Sequence, residues 1–388
     1  MYNYCCLNDI STIGTSHFTD KYAEVNEAGE ADALLVRSAV IKDMEFSDRV
    51  KAIARAGAGV NNIDLSGCAD QGIVVFNTPG ANANGVKELV IAGMLLASRD
   101  IVGGIEWLEQ QEPTDDLQKR AEKQKKKFAG SEIAGKKLGI IGLGAIGVMV
   151  ANTAVALGME VHGYDPYLSL KAAWNLSSSI KYVQDVTEIY RECDFITIHV
   201  PLNDATTGMV DSAAFSMMKE GAVLLNFARD LLVNEPALIE ALESGRLRKY
   251  VTDFVTPAVA KAPNTIITPH LGASTQESED NCAVMAVRQI RDYLENGNIK
   301  NSVNYPACDL GVCTTAGRIG INHTNEPNML AQLTGVLGEA HVNVANIANK
   351  GRGNYAYTLI DTDSAVDEEI VRRLAAIGGV KKVRIIKA

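Results

Sequence analysis

KKLGIIGLGAIGVMVANTAVALGMEVHGYDPY, residues 136–167, reads as strand, glycine turn, helix and strand. Gly142-Leu143-Gly144-Ala145-Ile146-Gly147 fits G-x-G-x-x-G, a weak pattern alone because glycine-rich turns are common. Here it follows the apolar run KLGII and opens the run AIGVMVANTAVAL, the strand-to-helix context that a dinucleotide site requires. Gly142 permits the tight turn, Gly144 lets the backbone approach a pyrophosphate, and Gly147 lets the helix pack close to the sheet. The N–H groups of Ala145 and Ile146 then open the helix toward the phosphates, where the macrodipole favours negative charge. Asp165 ends the next strand, 23 residues after Gly142. A carboxylate there accepts from the ribose hydroxyls and repels a 2′-phosphate, so the expected cofactor is NAD rather than NADP.

Downstream, DFITIHVP (194–201), GAVLLNFAR (221–229), YVTDFV (250–255) and NTIITPH (264–270) each run apolar and end on a polar residue. In a doubly wound sheet, ligands gather at the carboxyl ends of strands. Those ends carry Asp165, His199, Arg229, Asp253 and His270. Upstream, 31–39, 50–59 and 72–80 read as further parallel strands, and KELVIAGMLLASRDI (87–101) as a long apolar helix. A helix over 281–299 stops near Gly297, and the polar, punctuated stretch that follows reads as a linker. From 318 the style changes to β-α-β-β-α-β, the order of ferredoxin-like modules.

Length agrees, since 388 residues make two to three domains. The expected α/β architecture is a Rossmann-type NAD-binding domain (89–274) inserted in a flavodoxin-like substrate domain (1–88 and 275–302). A linker (303–317) and the ferredoxin-like module (318–388) complete it. No apolar run reaches the roughly 18 residues of a membrane helix, and MYNYCCLNDIS lacks a signal-peptide pattern. A net charge of −10 disfavours nucleic acid. KQKKK (123–127) reads as a solvated face. Seven scattered cysteines without C-x-x-C spacing suggest reduced thiols in a cytoplasmic protein, with neither zinc nor a disulfide framework. Cys68, Cys193 and Cys282 lie in apolar contexts and read as core.

RAGAGVNNID (55–64), NTPGANANGVKEL (77–89), LNFAR (225–229), the aspartate of YVTDF and TPHLGAST (268–275) together resemble the D-2-hydroxyacid dehydrogenases, most closely the branch acting on D-3-phosphoglycerate. The resemblance covers essentially the whole chain, and its motifs are specific in combination. It implies that His270 is the acid–base and that Arg229 binds and polarises the substrate. Histidine titrates in the range such a base needs, and the arginine fork suits a carboxylate bidentately. It also implies that Arg37, Ser38 and Arg55 meet the substrate's phosphoryl group, with Gly57-Ala58-Gly59 beside its carboxylate and the nicotinamide. Asp253 is implied near the carboxamide, with Gly272 and Ala273 following the acid–base. Val200, Phe227 and Ala228 match cofactor-wall positions and fit a plain core equally well.

Two positions depart from the family pattern. A glutamate that orients the catalytic histidine is replaced by Ala258, and Asp230 stands where glycine is commoner. Glu235 or Glu277 is a candidate substitute for the missing carboxylate, and Asp230 a competitor for Arg229. The carboxyl-terminal module resembles an ACT domain, which in this family binds serine. His323, Asn325 and Asn343 match its effector contacts, with Pro327-Asn328 at the turn that usually reads proline-glycine. A purely assembly-forming role for the module stays open. The resemblance implies a homodimer or homotetramer. The alternatives are a dehydrogenase for another D-2-hydroxy acid, and a non-catalytic regulator that binds NAD and an amino acid.

Overall fold

The computed structural model describes residues 1–387. Its chain divides into two compact units, 1–82 with 276–388 and 83–275.

The second unit holds a seven-stranded parallel sheet. Its strands are β6 (Lys137–Ile141), β7 (Glu160–Tyr164), β8 (Lys181–Tyr182), β9 (Phe195–Ile198), β10 (Ala222–Asn226), β11 (Leu247–Thr252) and β12 (Thr265–Ile267). They lie in the order β12-β11-β10-β9-β6-β7-β8. The order reverses between β6 and β9, which is the switch point where such sheets bind ligands. β9 and β10 are buried throughout, because crossover helices cover both faces. The expected 87–101 helix runs instead over Ala83–Ser98, and a second helix follows over Ile101–Glu109. Asp100 makes the break: its carboxylate accepts from the Gly103 N–H at 3.2 Å, capping the new helix. The 117–128 stretch with its lysine run is helical and largely exposed.

The first unit holds a five-stranded parallel sheet of β1 (Tyr2–Cys6), β2 (Tyr22–Glu24), β3 (Ala33–Val36), β4 (Ala52–Arg55) and β5 (Val74–Phe76), in the order β2-β1-β3-β4-β5. That order is flavodoxin-like. β1 was missed in the sequence because YNYCC offers no uninterrupted aliphatic run; only Tyr4 and Cys5 of it are buried. The helix Gln276–Asn296 buries Ala286, Val287, Ile290, Tyr293 and Leu294 against this sheet. It is crossed closely by the short helix Thr12–Thr15, where a Cβ on Gly14 would stand 2.3 Å from that of Ala283.

The same unit carries the antiparallel sheet β14-β15-β13-β16, formed by β13 (Gly317–Thr324), β14 (Val344–Arg352), β15 (Tyr355–Thr362) and β16 (Val380–Lys387). Helices Met329–Glu339 and Glu368–Ala375 cover one face through Leu333, Leu337, Ile370 and Leu374. Tyr357 and Leu359, on the other face, join the core of the five-stranded sheet. Asn328 takes φ 67°, so the expected turn forms with asparagine in the glycine role. The stretch 303–317 is pinned rather than free. The Asn304 side chain accepts from Val75 N–H at 2.9 Å and donates to the Ile73 carbonyl, and the Tyr305 hydroxyl donates to the Ala69 carbonyl at 2.7 Å.

Candidate functional site

In the seven-stranded unit, Gly142 has φ 98°, and a Cβ there would stand 2.5 Å from the His199 carbonyl oxygen. A Cβ on Gly147 would stand 2.0 Å from the Gly142 carbonyl oxygen. Both positions therefore accept only glycine without backbone movement. A Cβ on Gly144 would meet nothing within 4 Å, which leaves the helix N-terminus open to a ligand. These three environments match the three glycine roles of a dinucleotide loop.

Asp165 is fixed by the backbone. One carboxylate oxygen accepts from Leu143 N–H at 2.9 Å and the other from Tyr167 N–H at 2.8 Å. The second contact is an Asx turn, legible in Asp165-Pro166-Tyr167. Gly144, Ala145 and Asp165 share a cavity of about 560 Å³ with Val148, Met149 and Lys171. No local signal marks those last three, because contacts between neighbouring helices have no pattern along the chain.

At the ends of β11 and β12, Asp253 is 2% exposed and accepts from Gly272 N–H at 2.9 Å through one oxygen. Its other oxygen is buried without a partner, an acceptor awaiting a donor such as a carboxamide N–H. The His270 ring meets the edge of Phe254 at 4.8 Å between centroids, and it has no hydrogen-bond partner among the described residues. The loop that follows Asp253 supplies no carboxylate, since Ala258 simply begins a 3₁₀ turn. Glu235 accepts instead from the Thr256 hydroxyl, whose oxygen takes the Val259 N–H at 3.1 Å.

Arg229 follows β10 in extended backbone, and its guanidinium donates to the Ala228 carbonyl at 2.6 Å. Asn226 braces this corner by accepting from Ala228 N–H and donating to the Arg229 carbonyl. Asp230 makes no ion pair with Arg229, so the expected competition is absent among the described residues. Phe227 is buried in the core beneath Gly93, whereas Val200 and Ala228 are half-buried against a second core cluster of the same unit. His199 has its ring hydrogen-bonded to the Thr197 hydroxyl at 3.0 Å, and desolvation of that ring pushes its pKa down to about 3, so it stays neutral.

In the five-stranded unit, Arg55 ends β4 and donates through Nε to the Arg37 carbonyl at 3.0 Å and through a terminal nitrogen to the Gly59 carbonyl. A Cβ on Gly57 would stand 2.6 Å from that guanidinium, so glycine is what admits the arginine. The backbone N–H groups of Arg37, Ser38 and Ala39 all point to one oxygen of Asn8. The Arg37 guanidinium pairs with Glu279. Arg37 and Ser38 are thus less available to an anion than expected. Neither Asn8 nor Glu279 could be found from sequence, because both partners are distant along the chain.

In the module, His323 is buried, with Nε2 at 2.8 Å from the Thr358 hydroxyl and Nδ1 at 2.7 Å from the Thr324 carbonyl. Burial pushes its pKa down. Asn325 donates to the Gly353 carbonyl, at the Thr324–Tyr355 end of the sheet. Asn343 donates to Asp363, at the Gly317–Thr362 end. Seven strand residues separate the two ends, about 23 Å. A single module therefore does not bring all three residues to one place. Cys68, Cys193 and Cys282 are buried as expected, and burial pushes the first two thiols up to about 12.

Residues 91–272 match the NAD-binding domain of the D-isomer specific 2-hydroxyacid dehydrogenases. A D-3-phosphoglycerate dehydrogenase of Haemophilus influenzae is 30% identical over 356 residues, which cover 88% of this chain and 83% of that protein. The chain belongs to the D-isomer specific 2-hydroxyacid dehydrogenase family. A second relative of the same name, from Methanocaldococcus jannaschii, is 36% identical over 77% of this chain. The chain spans only 57% of that relative's length. Among solved structures, an NAD⁺-bound 3-phosphoglycerate dehydrogenase of Entamoeba histolytica is 27% identical with a TM-score of 0.61, over 78% of this chain and 98% of that one. A D-2-hydroxyisocaproate dehydrogenase, at 20% identity and TM-score 0.64, shares the fold over 78% of this chain and all of that one. The glycine loop, Asp165 and the unpartnered oxygen of Asp253 fit NAD, the cofactor of this family's matched domain.

Proposed function

We propose that this chain oxidises D-3-phosphoglycerate to 3-phosphohydroxypyruvate with NAD, the first step of the phosphorylated route to serine. When bound, NAD would supply the acceptor for the hydride that leaves C2. Arg229 holds the substrate carboxylate and polarises the oxygen at C2, through the planar fork that suits two oxygens. An imidazole nitrogen of His270 takes the hydroxyl proton. Arg55, held to the Arg37 and Gly59 carbonyls, offers its charge to the phosphoryl end, and Arg37 joins when it leaves Glu279. The module, read as an ACT domain, binds serine in this account.

The observation that carries the reading is the braced Arg229 and exposed His270 in the same unit as the dinucleotide loop. The test is NADH formation from D-3-phosphoglycerate by the full chain at alkaline pH, beside other D-2-hydroxy acids. Turnover restricted to an unphosphorylated acid would reassign the substrate. Arg55→Ala should raise KM for the phosphorylated acid far more than for NAD, and an unchanged KM would remove Arg55 from the site. The unpartnered His270, with Ala258 where a carboxylate was expected, favours a second reading, a regulator that binds NAD without turnover. Binding of NAD with no NADH from any D-2-hydroxy acid would establish that reading instead.

A further inference from the structure

The outer face of the helix Gln276–Asn296 lines a cavity of about 570 Å³. Asn281, Val284, Met285, Arg288, Gln289 and Asp292 form one wall, and Gly80, Ala81 and the 298–301 turn form the rest. Two features there are unexplained by folding. Gln289 is 8% exposed; its amide nitrogen donates to the Asn77 carbonyl at 2.9 Å, while its carbonyl oxygen is buried with no partner. An unpaired buried acceptor costs about 1–3 kcal/mol, so a native protein keeps one where something else satisfies it. Arg288 makes no ion pair and no hydrogen bond among the described residues, although the chain carries ten more acidic than basic groups.

We propose that this cavity binds an α-amino acid with an apolar side chain. Arg288 takes the carboxylate, whose two oxygens match the guanidinium fork. The Gln289 carbonyl takes an ammonium N–H, and Val284, Met285 and Ala81 receive the side chain. Asp292 does not compete for the ammonium, since it is occupied by Lys300 at 2.9 Å and by Asn296 and Asn298 at 3.1 and 2.8 Å. A volume of 570 Å³ lies within the range of small-molecule sites and leaves room beyond a side chain as small as serine's. The site is distinct from the module's effector residues and does not depend on the proposed reaction. It does touch the module's mounting. Asn298 also donates to the Gly311 carbonyl at 3.1 Å, and the same carbonyl accepts from Arg318 of the module. A ligand against Asn298 is thereby placed one hydrogen bond from the module.

Calorimetric titration of the full chain tests this with three probes: L-leucine, L-leucinamide without the carboxylate, and 4-methylpentanoate without the ammonium. L-leucine should bind, and each truncated probe should bind at least about tenfold more weakly, the loss of one charge-assisted contact. Arg288→Met, at an exposed position that folding does not need, should weaken L-leucine about tenfold to a hundredfold and leave L-leucinamide unchanged. Gln289→Leu should weaken L-leucine and spare 4-methylpentanoate; if that variant fails to fold, the Arg288→Met result decides alone. Absence of L-leucine binding up to about 10 mM, where affinity falls below roughly 3 kcal/mol, overturns the proposal. So does binding that Arg288→Met leaves intact, because the ligand would then sit elsewhere.

Discussion

Ala258→Glu should raise kcat. The His270 imidazole touches only the Phe254 edge, and neither ring nitrogen has a hydrogen-bond partner among the described residues. A glutamate at 258 starts in the 3₁₀ turn Val259–Lys261, whose first residue's N–H is already held by the Thr256 hydroxyl. Its backbone is therefore fixed, and only its side chain has to find the histidine. A carboxylate hydrogen-bonded to the ring selects one tautomer and stabilises the imidazolium that forms during proton transfer. Loss of such an orienting group has cost about 10⁴ in rate in a triad enzyme, and general acid–base groups contribute about 10² to 10⁴. A gain of about tenfold to 10⁴-fold is thus expected, with the lower end set by residual ordering from Phe254. KM for NAD should hardly move, because neither Ala258 nor His270 lines the cavity that Gly144 and Asp165 share. Initial rates of NADH formation for the variant and the parent chain provide the comparison, with circular dichroism to establish folding. A folded variant with no gain refutes the claim that position 258 is a catalytic defect. It would mean that the histidine is oriented by another group when substrate is bound, and Glu235, which accepts from Thr256, is the candidate to replace next.

Asp165→Ala should reduce the preference for NAD over NADP, measured as the ratio of kcat/KM values; an unchanged ratio would place cofactor selection elsewhere. The same change frees the N–H groups of Leu143 and Tyr167, so a loss of stability of about 1–3 kcal/mol by denaturant titration is expected alongside. Gly57→Ala puts a methyl 2.6 Å from the Arg55 guanidinium and should raise KM for the phosphorylated substrate about as much as Arg55→Ala does, while KM for NAD stays level. Retention of parent KM would show that Arg55 is not held for a ligand. Below pH 6.5 the unfolded chain protonates position 199 while the native chain, with His199 held down to about 3, does not. Native stability should therefore fall by up to about 1.4 kcal/mol per pH unit from that group as pH drops from 6.5 toward 3. His199→Gln should flatten the slope of Tm against pH between 7 and 5, and an unaltered slope would assign the acid sensitivity to other groups.

The dinucleotide loop was legible because three glycines, a strand and a helix constrain one another over thirty residues. Gly142 and Gly147 would each strike a carbonyl oxygen with a Cβ, and that requirement is written locally. The strand ends were legible for the same reason: apolar runs stopping at Arg229, Asp253 and His270 are one-dimensional signals. What the sequence hid is pairing. Nothing in LLVRSA announces that Arg37 is held by Glu279, some 240 residues away, or that Asn8 fills the N–H groups of the same turn. The residues expected to contact an effector show the converse. His323, Asn325 and Asn343 were found by local resemblance, yet strand register places Asn343 at the far end of the sheet from Asn325. Motifs specify neighbours along the chain, and register specifies neighbours in space.

The helix Gln276–Asn296 bears on both ends of its unit. Its first turns hold Arg37 through Glu279 and Ser11 through Asp280. Its last carbonyls are held by the module: Arg318 donates to Asn296 at 3.0 Å, and Arg384 donates to Tyr293 and Leu294 at 3.2 and 3.3 Å. Cations at a helix carboxyl end are favoured by the free carbonyls and the dipole. Arg384 also lies over the Tyr293 ring, 4.2 Å from its centroid, and is almost fully buried. A buried guanidinium is costly unless its neighbours stay in place. The cost of withdrawing the module is therefore high, because two charges would lose the acceptors that justify their burial. Module and helix are thereby held together, and the Glu279–Arg37 pair ties the arginine to the same helix.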